Sequence, residues 1–204
     1  MITSHIFELV AGYASGMLVI FSLILYLRAI LQGRVHSNSV TWGIWVIVTG
    51  MLAISYYQSV GFVAAIWVSL ATFIGTLLIF IFLLVCAPRG AWTWVEKTSI
   101  FAIVLIIPLW IFFHDPLLAL TLTMLVDIFG AIPLVHTLYF DHTSEDGPAW
   151  VLAFIANILN LFAVEQWDYA HATYPLYLAF LTFVITGLIY FPIFFGPKFK
   201  GAKS

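Results

Sequence analysis

The residues from Pro116 to Tyr139 form an apolar run of 24 residues that contains a single carboxylate, that of Asp127. At about 1.5 Å per residue, a helix of this length can cross the hydrocarbon core of a bilayer. Asp127 is the twelfth residue of the run, so it would lie near the membrane midplane. A charge at that depth costs on the order of 3 kcal/mol and is tolerated where it faces protein, water or a ligand. The run therefore predicts a membrane helix with a polar site at its centre.

Two residues that follow Asp127 weaken the regularity of this helix. Gly130 lies three residues further along on the same helical face, and Pro133 removes one helical hydrogen bond. We expect a hinge at Gly130 and Pro133 beside the carboxylate. The alternative is that Asp127 only holds two helices together.

The composition indicates a polytopic membrane protein, with a single membrane domain over residues 1–204 and the lipid bilayer as its surroundings. Of the 204 residues, 64% are hydrophobic and 8% are charged, whereas soluble domains carry about 25% charged residues. A net charge of −2 and the lack of a basic block argue against nucleic acid as a partner.

Seven apolar runs separated by short, turn-rich loops predict an all-α fold with seven transmembrane helices. The predicted spans are Ile6–Ile30, Val40–Tyr57, Phe62–Cys86, Lys97–Phe113, Pro116–Tyr139, Pro148–Trp167 and Tyr174–Phe195. All seven basic residues fall on one side of these spans: Arg28, Arg34, Arg89, Lys97, Lys198, Lys200 and Lys203. The positive-inside rule makes this side cytoplasmic. We therefore expect a multi-pass protein of a bacterial inner membrane, with its N-terminus outside and its C-terminus in the cytoplasm.

The two halves of the chain resemble each other. Trp42 matches Trp150 at an offset of 108 residues, and segment 71–79 matches segment 181–189 at an offset of 110. The chain would then consist of a first three-helix repeat, a linker helix and a second three-helix repeat, at residues 6–86, 97–113 and 116–195. Because one linker helix restores the chain direction, the repeats would be parallel. This 3+1+3 arrangement is a known plan of transporters.

The polar turn after the first span, with Gly33, Asn38, Thr41 and Trp42, resembles the SWEET and PQ-loop transporter superfamily. The likeness covers nearly the whole chain. It is closest to bacterial members whose second helix begins Thr-Trp-x-x-Trp, here ending at Trp45. It implies a seven-helix transporter of small molecules.

Two further patterns carry this resemblance. Asp127 followed by Gly130 is similar to the fifth helix of the proton-coupled cystine branch, and Trp150 with Asn157 resembles vitamin transporters of the nicotinamide riboside type. The name-giving Pro-Gln pair is absent from both repeats, and Val19 stands in the first repeat where the alignment places Asp127.

Hydroxyl and amide side chains are predicted at the depth of Asp127. The residues expected to bind a substrate or an ion are Asp127, Asn157, Asn160, Thr182, Thr186 and Thr49, with further hydroxyls from Ser22, Thr72 and Thr76. In one interpretation they line a cavity where Asp127 binds a proton or a cation and the two Asn side chains bind substrate. In the other they form the interhelical hydrogen bonds that are ordinary in membranes.

Two other motifs have a structural and a functional interpretation. The acidic loop after the fifth span contains the potential metal ligands His136, Asp141, His142, Glu145 and Asp146. Their spacing matches no closed metal site, so we favour a solvated loop over a metal site. The loop could instead meet basic residues such as Arg28 or Arg34. Gly12 and Gly16 form a Gly-x-x-x-Gly contact face for internal packing or for a homo-oligomer.

The sequence predicts a small-molecule transporter, either a uniporter or proton-coupled, with no catalytic residue, metal or cofactor. It contains no Gly-x-Ser-x-Gly motif, no phosphate loop and no Lys in the middle of a span. The alternatives are a non-transporting membrane protein, such as an assembly factor or a receptor, and an enzyme that uses the acidic loop.

Overall fold

The computed structural model describes residues 2–35, 39–86 and 115–195, and residues 94, 97, 98, 101, 104, 105 and 108 between the last two ranges. Within these ranges the chain forms six long helices and no strand: α1 (Ile2–Leu31), α2 (Ser39–Val60), α3 (Ile66–Cys86), α4 (Pro116–Phe140), α5 (Gly147–Leu161) and α6 (Tyr169–Phe195). All except α5 are long and apolar enough to cross a membrane. The all-α prediction for a multi-pass membrane protein is thus confirmed.

The predicted span Lys97–Phe113 lies mostly outside the described residues. Those of its positions that are described, Lys97, Thr98, Phe101, Val104, Leu105 and Pro108, are helical and exposed.

Helix α5 is shorter than the predicted span Pro148–Trp167, and helix α6 is longer than the predicted span Tyr174–Phe195. α5 ends at Leu161 rather than at Trp167, and the N–H of Ala163 turns back to the Asn160 carbonyl at 3.0 Å. Its 15 residues span only about 22 Å. α6 begins at Tyr169, five residues earlier than predicted, because the Asp168 carboxylate accepts a hydrogen bond from the His171 N–H at 2.9 Å. That bond satisfies a backbone donor that a helix start otherwise leaves unpaired.

The six helices pack as a closed ring in the order α1, α3, α2, α4, α6, α5, and α5 packs against α1. Contacts also cross the ring between α2 and α6 and between α3 and α5. Helices α1, α3, α4 and α6 run in one direction, whereas α2 and α5 run in the opposite direction. We name the two ends of the ring after residues that lie there: the Arg34 end, where α1 and α4 finish, and the Glu165 end, where they begin.

The Gly-x-x-x-Gly motif lies at the contact of α1 with the start of α3. A Cβ atom at Gly12 would collide with the backbone carbonyl of Ala64, and one at Gly16 would come within 3.0 Å of the Trp67 Cβ atom. The two glycines therefore serve internal packing, because only a bare backbone lets α1 approach this closely.

Candidate functional site

A cavity of about 140 Å³ lies inside the ring, and all six helices contribute to its wall. Most of the wall is apolar or aromatic. Its aromatic residues are Tyr26, Trp42, Trp45, Trp150 and Tyr174, and its polar residues are Ser22, Thr49, Thr72, Thr76, Asp127, Asn157 and Thr182. Four of the predicted site residues, Asp127, Asn157, Thr182 and Thr49, thus face one common space.

Among the described residues that line this cavity, Asp127 is the one with a charged side chain. It is the twelfth of the 25 residues of α4, and its Oδ2 accepts a hydrogen bond from the Tyr177 hydroxyl of α6 at 2.6 Å. Within the described part of the chain, Oδ1 has no hydrogen-bond donor. The carboxylate is therefore positioned by Tyr177 and keeps one free acceptor atom.

Asn157 presents a second acceptor. Its side chain is 4% exposed, and its Nδ2 donates to the Ala153 carbonyl at 2.9 Å. Its Oδ1 is buried and, among the described residues, has no partner. The amide orientation is set by this network, because a flipped amide would bring two oxygens together. A buried amide oxygen without a donor costs about 1–3 kcal/mol, so this atom is a candidate acceptor for a ligand that carries a donor.

The threonine hydroxyls, by contrast, are already satisfied. Thr49 Oγ1 lies 3.0 Å from Thr76 Oγ1 and donates to the Trp45 carbonyl at 2.7 Å. Thr182 Oγ1 donates to the Leu178 carbonyl at 2.7 Å. These residues shape the cavity wall, but their donor hydrogens are used within the helices or between them, as the structural interpretation predicted.

Two predicted site residues do not line the cavity. Asn160 is buried against α1, where its Oδ1 accepts a hydrogen bond from Ser15 Oγ at 3.3 Å. Thr186 donates instead to the Trp150 carbonyl at 3.1 Å. Side chains three residues apart on a helix point in similar but not identical directions. Asn157 can therefore face the cavity while Asn160 faces α1.

The predicted hinge lies inside a continuous helix. α4 runs through both Gly130 and Pro133. The atom nearest to a Cβ added at Gly130 is Trp45 Nε1 at 3.9 Å, so this glycine is not required by packing. The side chain of Pro133 lies outside the described part.

The residues that line the cavity come largely in pairs separated by the repeat offset. Six pairs have an offset of 108: Val19 and Asp127, Leu23 and Ala131, Tyr26 and Leu134, Trp42 and Trp150, Trp45 and Ala153, and Thr49 and Asn157. Thr72 and Thr182 form a seventh pair at an offset of 110. The two halves of the chain therefore contribute equivalent positions to one wall, although not equivalent chemistry.

At the Arg34 end, the acidic loop closes onto the first half of the chain. Arg34 Nη1 forms an ion pair with Asp146 Oδ1, which confirms that a basic residue at the end of α1 meets this loop. The other oxygen of Asp146 caps α5 through the Ala149 N–H at 3.2 Å. Beside it, Glu145 Oε2 accepts a hydrogen bond from Trp150 Nε1 at 3.0 Å. Burial raises the pKa of Glu145, and the neighbouring carboxylate of Asp146 adds to this rise.

At the Glu165 end, a layer of buried side chains separates the cavity from the surface. The rings of Tyr56 and Tyr174 pack with their centroids 5.2 Å apart, and the Tyr56 hydroxyl donates to the His171 carbonyl at 2.9 Å. Glu165 Oε1 accepts from the Ala64 N–H at 3.0 Å, which joins the turn after α2 to the turn after α5. Both tyrosines are at most 1% exposed.

Sequence reasoning missed two features of the site and its surroundings. Tyr177 was not predicted as the partner of Asp127, although an intramembrane carboxylate requires a nearby donor. At the Glu165 end, His5, Glu8 and Glu165 offer potential metal ligands within 4.8 Å of one another, away from the cavity. The pairing of His5 and Glu8 on one helical face was visible in their spacing, but the approach of Glu165 depends on the ring.

The chain was compared with family models, with curated proteins and with solved structures, and none of them matches it.

Proposed function

We propose that this protein is a small-molecule transporter that works by alternating access around the cavity. The observation that carries the proposal is a cavity lined by paired positions of the two halves. Among the described residues, its wall contains one carboxylate and one amide side chain whose oxygen has no partner. Polar groups of this kind inside a membrane are costly, and they mark substrate and ion pathways.

The packing order supports the 3+1+3 plan of two parallel repeats. Exchanging α1 with α4, α2 with α5 and α3 with α6 reproduces the same ring, as well as the two contacts that cross it. In each half the third helix lies between the first two. This is the symmetry expected of two repeats related by an axis along the membrane normal.

The chain direction supports a linker helix between the repeats. α3 finishes at the Arg34 end and α4 starts at the Glu165 end, so the connection has to return along the length of the ring. The described residues of this connection, between Trp94 and Pro108, are helical. One further crossing would complete the seven-helix plan.

The shape of the cavity indicates which side it faces. Its wall reaches Trp42 and Ala149 in the first turns of α2 and α5 at the Arg34 end, whereas Tyr56 and Tyr174 close the Glu165 end. The positive-inside rule assigns the Arg34 end to the cytoplasm. We therefore interpret the cavity as lying nearer the cytoplasmic side, behind the Arg34–Asp146 ion pair, with the Tyr56–Tyr174 layer as its outer seal.

Asp127 is the proposed proton or cation site. Burial disfavours its charged form, whereas a bound cation favours it, so the carboxylate can exchange a proton for a cationic group as the cavity alternates. Gly130 is the proposed hinge residue in this movement, together with Pro133.

The test measures uptake of candidate solutes into proteoliposomes, with a pH-sensitive dye inside to report proton movement. It compares the variant Asp127→Asn with the control variant Asp115→Asn. Asp115 lies on the same helix, where its carboxylate caps the first turn of α4 through the N–H groups of Leu117 and Leu118. Asn caps a helix as well as Asp does, so this control removes the same charge outside the cavity.

We expect Asp127→Asn to insert normally but to lose solute accumulation driven by a pH gradient, while Asp115→Asn retains this accumulation. Gradient-driven uptake at the wild-type level in Asp127→Asn would overturn this mechanism. Absence of any solute flux in the wild-type protein would favour an assembly factor or a receptor.

A further inference from the structure

We propose that the cavity binds a small organic amine, with its ammonium group on Asp127, Asn157 as a second acceptor, and its apolar part against the aromatic wall. The inference names the substrate class of the same site, and as a statement about transport it rests on the proposed function.

Two of the polar atoms of the wall are acceptors that lack a donor among the described residues. Oδ1 of Asp127 and the buried Oδ1 of Asn157 lack donors within the described part of the chain. Among the described residues, no Lys, Arg or His lines the cavity, and the threonine hydroxyls already donate to backbone carbonyls. A ligand with N–H donors and a positive charge satisfies both oxygens, whereas an anion would meet no positively charged partner among the lining residues.

The rest of the wall suits an apolar or aromatic body. The Trp42 ring lies 5.3 Å from the Tyr26 ring and 5.4 Å from the Trp45 ring, measured between centroids. All three rings line the cavity, and aromatic faces attract organic cations as well as apolar groups. A cavity of about 140 Å³ suits a molecule with a single ring.

The unequal halves favour one orientation of this molecule. At the paired positions, α1 has Val19 where α4 has Asp127, and α1 has Leu23 where α4 has Ala131. The second half thus offers the charge and the smaller side chain, whereas the first half offers larger apolar groups. An amphipathic ligand matches this division, with its ammonium group towards α4 and its apolar end towards α1.

The experiment compares three probes of nearly equal size on the full-length protein in lipid nanodiscs: 2-phenylethylamine, 2-phenylethanol and 3-phenylpropionate. At neutral pH they are a cation, a neutral molecule and an anion. We expect the amine to bind at least about tenfold more tightly than the alcohol, as a hydrogen bond to a charged group predicts. The preference should vanish in Asp127→Asn, weaken in Asn157→Leu and persist in Asp115→Asn.

Equal binding of the amine and the alcohol to the wild-type protein would overturn the inference, and this comparison needs no variant to fold. So would an amine preference that survives in a folded Asp127→Asn protein. Counterflow of the amine in proteoliposomes then separates the inference from the proposed function. Binding that depends on Asp127 without counterflow would support the amine site and contradict transport. Amine counterflow that exceeds the flux in protein-free liposomes and persists in Asp127→Asn would support transport and contradict the amine site.

Discussion

The hydrogen bond between Tyr177 and Asp127 joins α6 to α4 near the middle of α4. Its strength depends on whether the carboxyl group is charged. Neutral interhelical hydrogen bonds in membranes contribute about 0.6 kcal/mol on average, whereas hydrogen bonds to charged groups contribute about 1.5–3 kcal/mol. The same contact can therefore report on the protonation state of the site.

Tyr177→Phe removes this donor and keeps the ring. If Asp127 is protonated in the resting protein, we expect the free energy of unfolding to fall by less than about 1 kcal/mol. If it is charged, the loss should exceed about 1.5 kcal/mol. The measurement is reversible unfolding in mixed micelles, with the double variant Tyr177→Phe, Asp127→Leu completing a double-mutant cycle, because Leu removes the acceptor at similar size. A coupling energy of zero would contradict the contact itself.

Glu145 gives a prediction about pH. Because burial raises its pKa, the folded protein binds this proton more readily than the unfolded chain does. Its contribution to stability is therefore complete below its ordinary pKa of 4.5 and is lost as the pH rises through the raised value. Glu145→Gln keeps a neutral acceptor for Trp150 Nε1. We expect this variant to have a higher Tm than the wild type at pH 7, and the difference to shrink towards pH 4.5. A Tm difference that stays constant between these pH values would contradict the raised pKa of Glu145.

At the scale of the helices, the close approach of α1 to the turn before α3 depends on a bare backbone at Gly12. We expect Gly12→Ala to lower the free energy of unfolding by about 1–3 kcal/mol, because the added methyl group meets the Ala64 carbonyl. Gly187→Ala is the matched control on α6, where a Cβ atom has no neighbour within 4 Å. There the better helix propensity of Ala should raise stability by up to about 1 kcal/mol. Equal effects of the two substitutions in thermal unfolding would show that the contact is absent.

The helices show how far the sequence could be interpreted. Long apolar runs predicted α1 to α4 well, because an unbroken apolar pattern and its turn residues are local signals. The end of α5 was not predictable in this way, since Phe162, Ala163 and Val164 continue the apolar run. The chain turns there because Glu165 bonds to the Ala64 N–H of another element, which is a tertiary contact. Asp127 and Asn157 were recognisable as rare polar groups, but which of Asn157 and Asn160 faces the cavity depends on how α5 rotates against α1.

At the scale of the molecule, orientation in the membrane remains a prediction. Cysteines introduced at Gln166 and Thr143, in a Cys86→Ser background, occupy exposed turns at the Glu165 end and after α4. We expect Gln166→Cys to react with an impermeant maleimide in intact cells, and Thr143→Cys to react only after permeabilisation. The physical reason is the bias of Arg and Lys towards the Arg34 end. Labelling of both sites from outside would contradict a membrane-crossing arrangement, and the reverse pattern would invert the orientation.

The thin layer formed by Tyr56 and Tyr174 has an electrical consequence. If water fills the cavity from the cytoplasmic side, most of the insulating material between the two solutions is this layer and its neighbours. The membrane voltage then falls mainly across a few side chains and not across the full length of the helices. A charge on Asp127 would be near the cytoplasmic potential in this conformation and near the external potential once the seal has moved to the Arg34 end. One elementary charge moved through 100 mV corresponds to about 2.3 kcal/mol, so opening and closing the seal would itself sense voltage, even if Asp127 does not move.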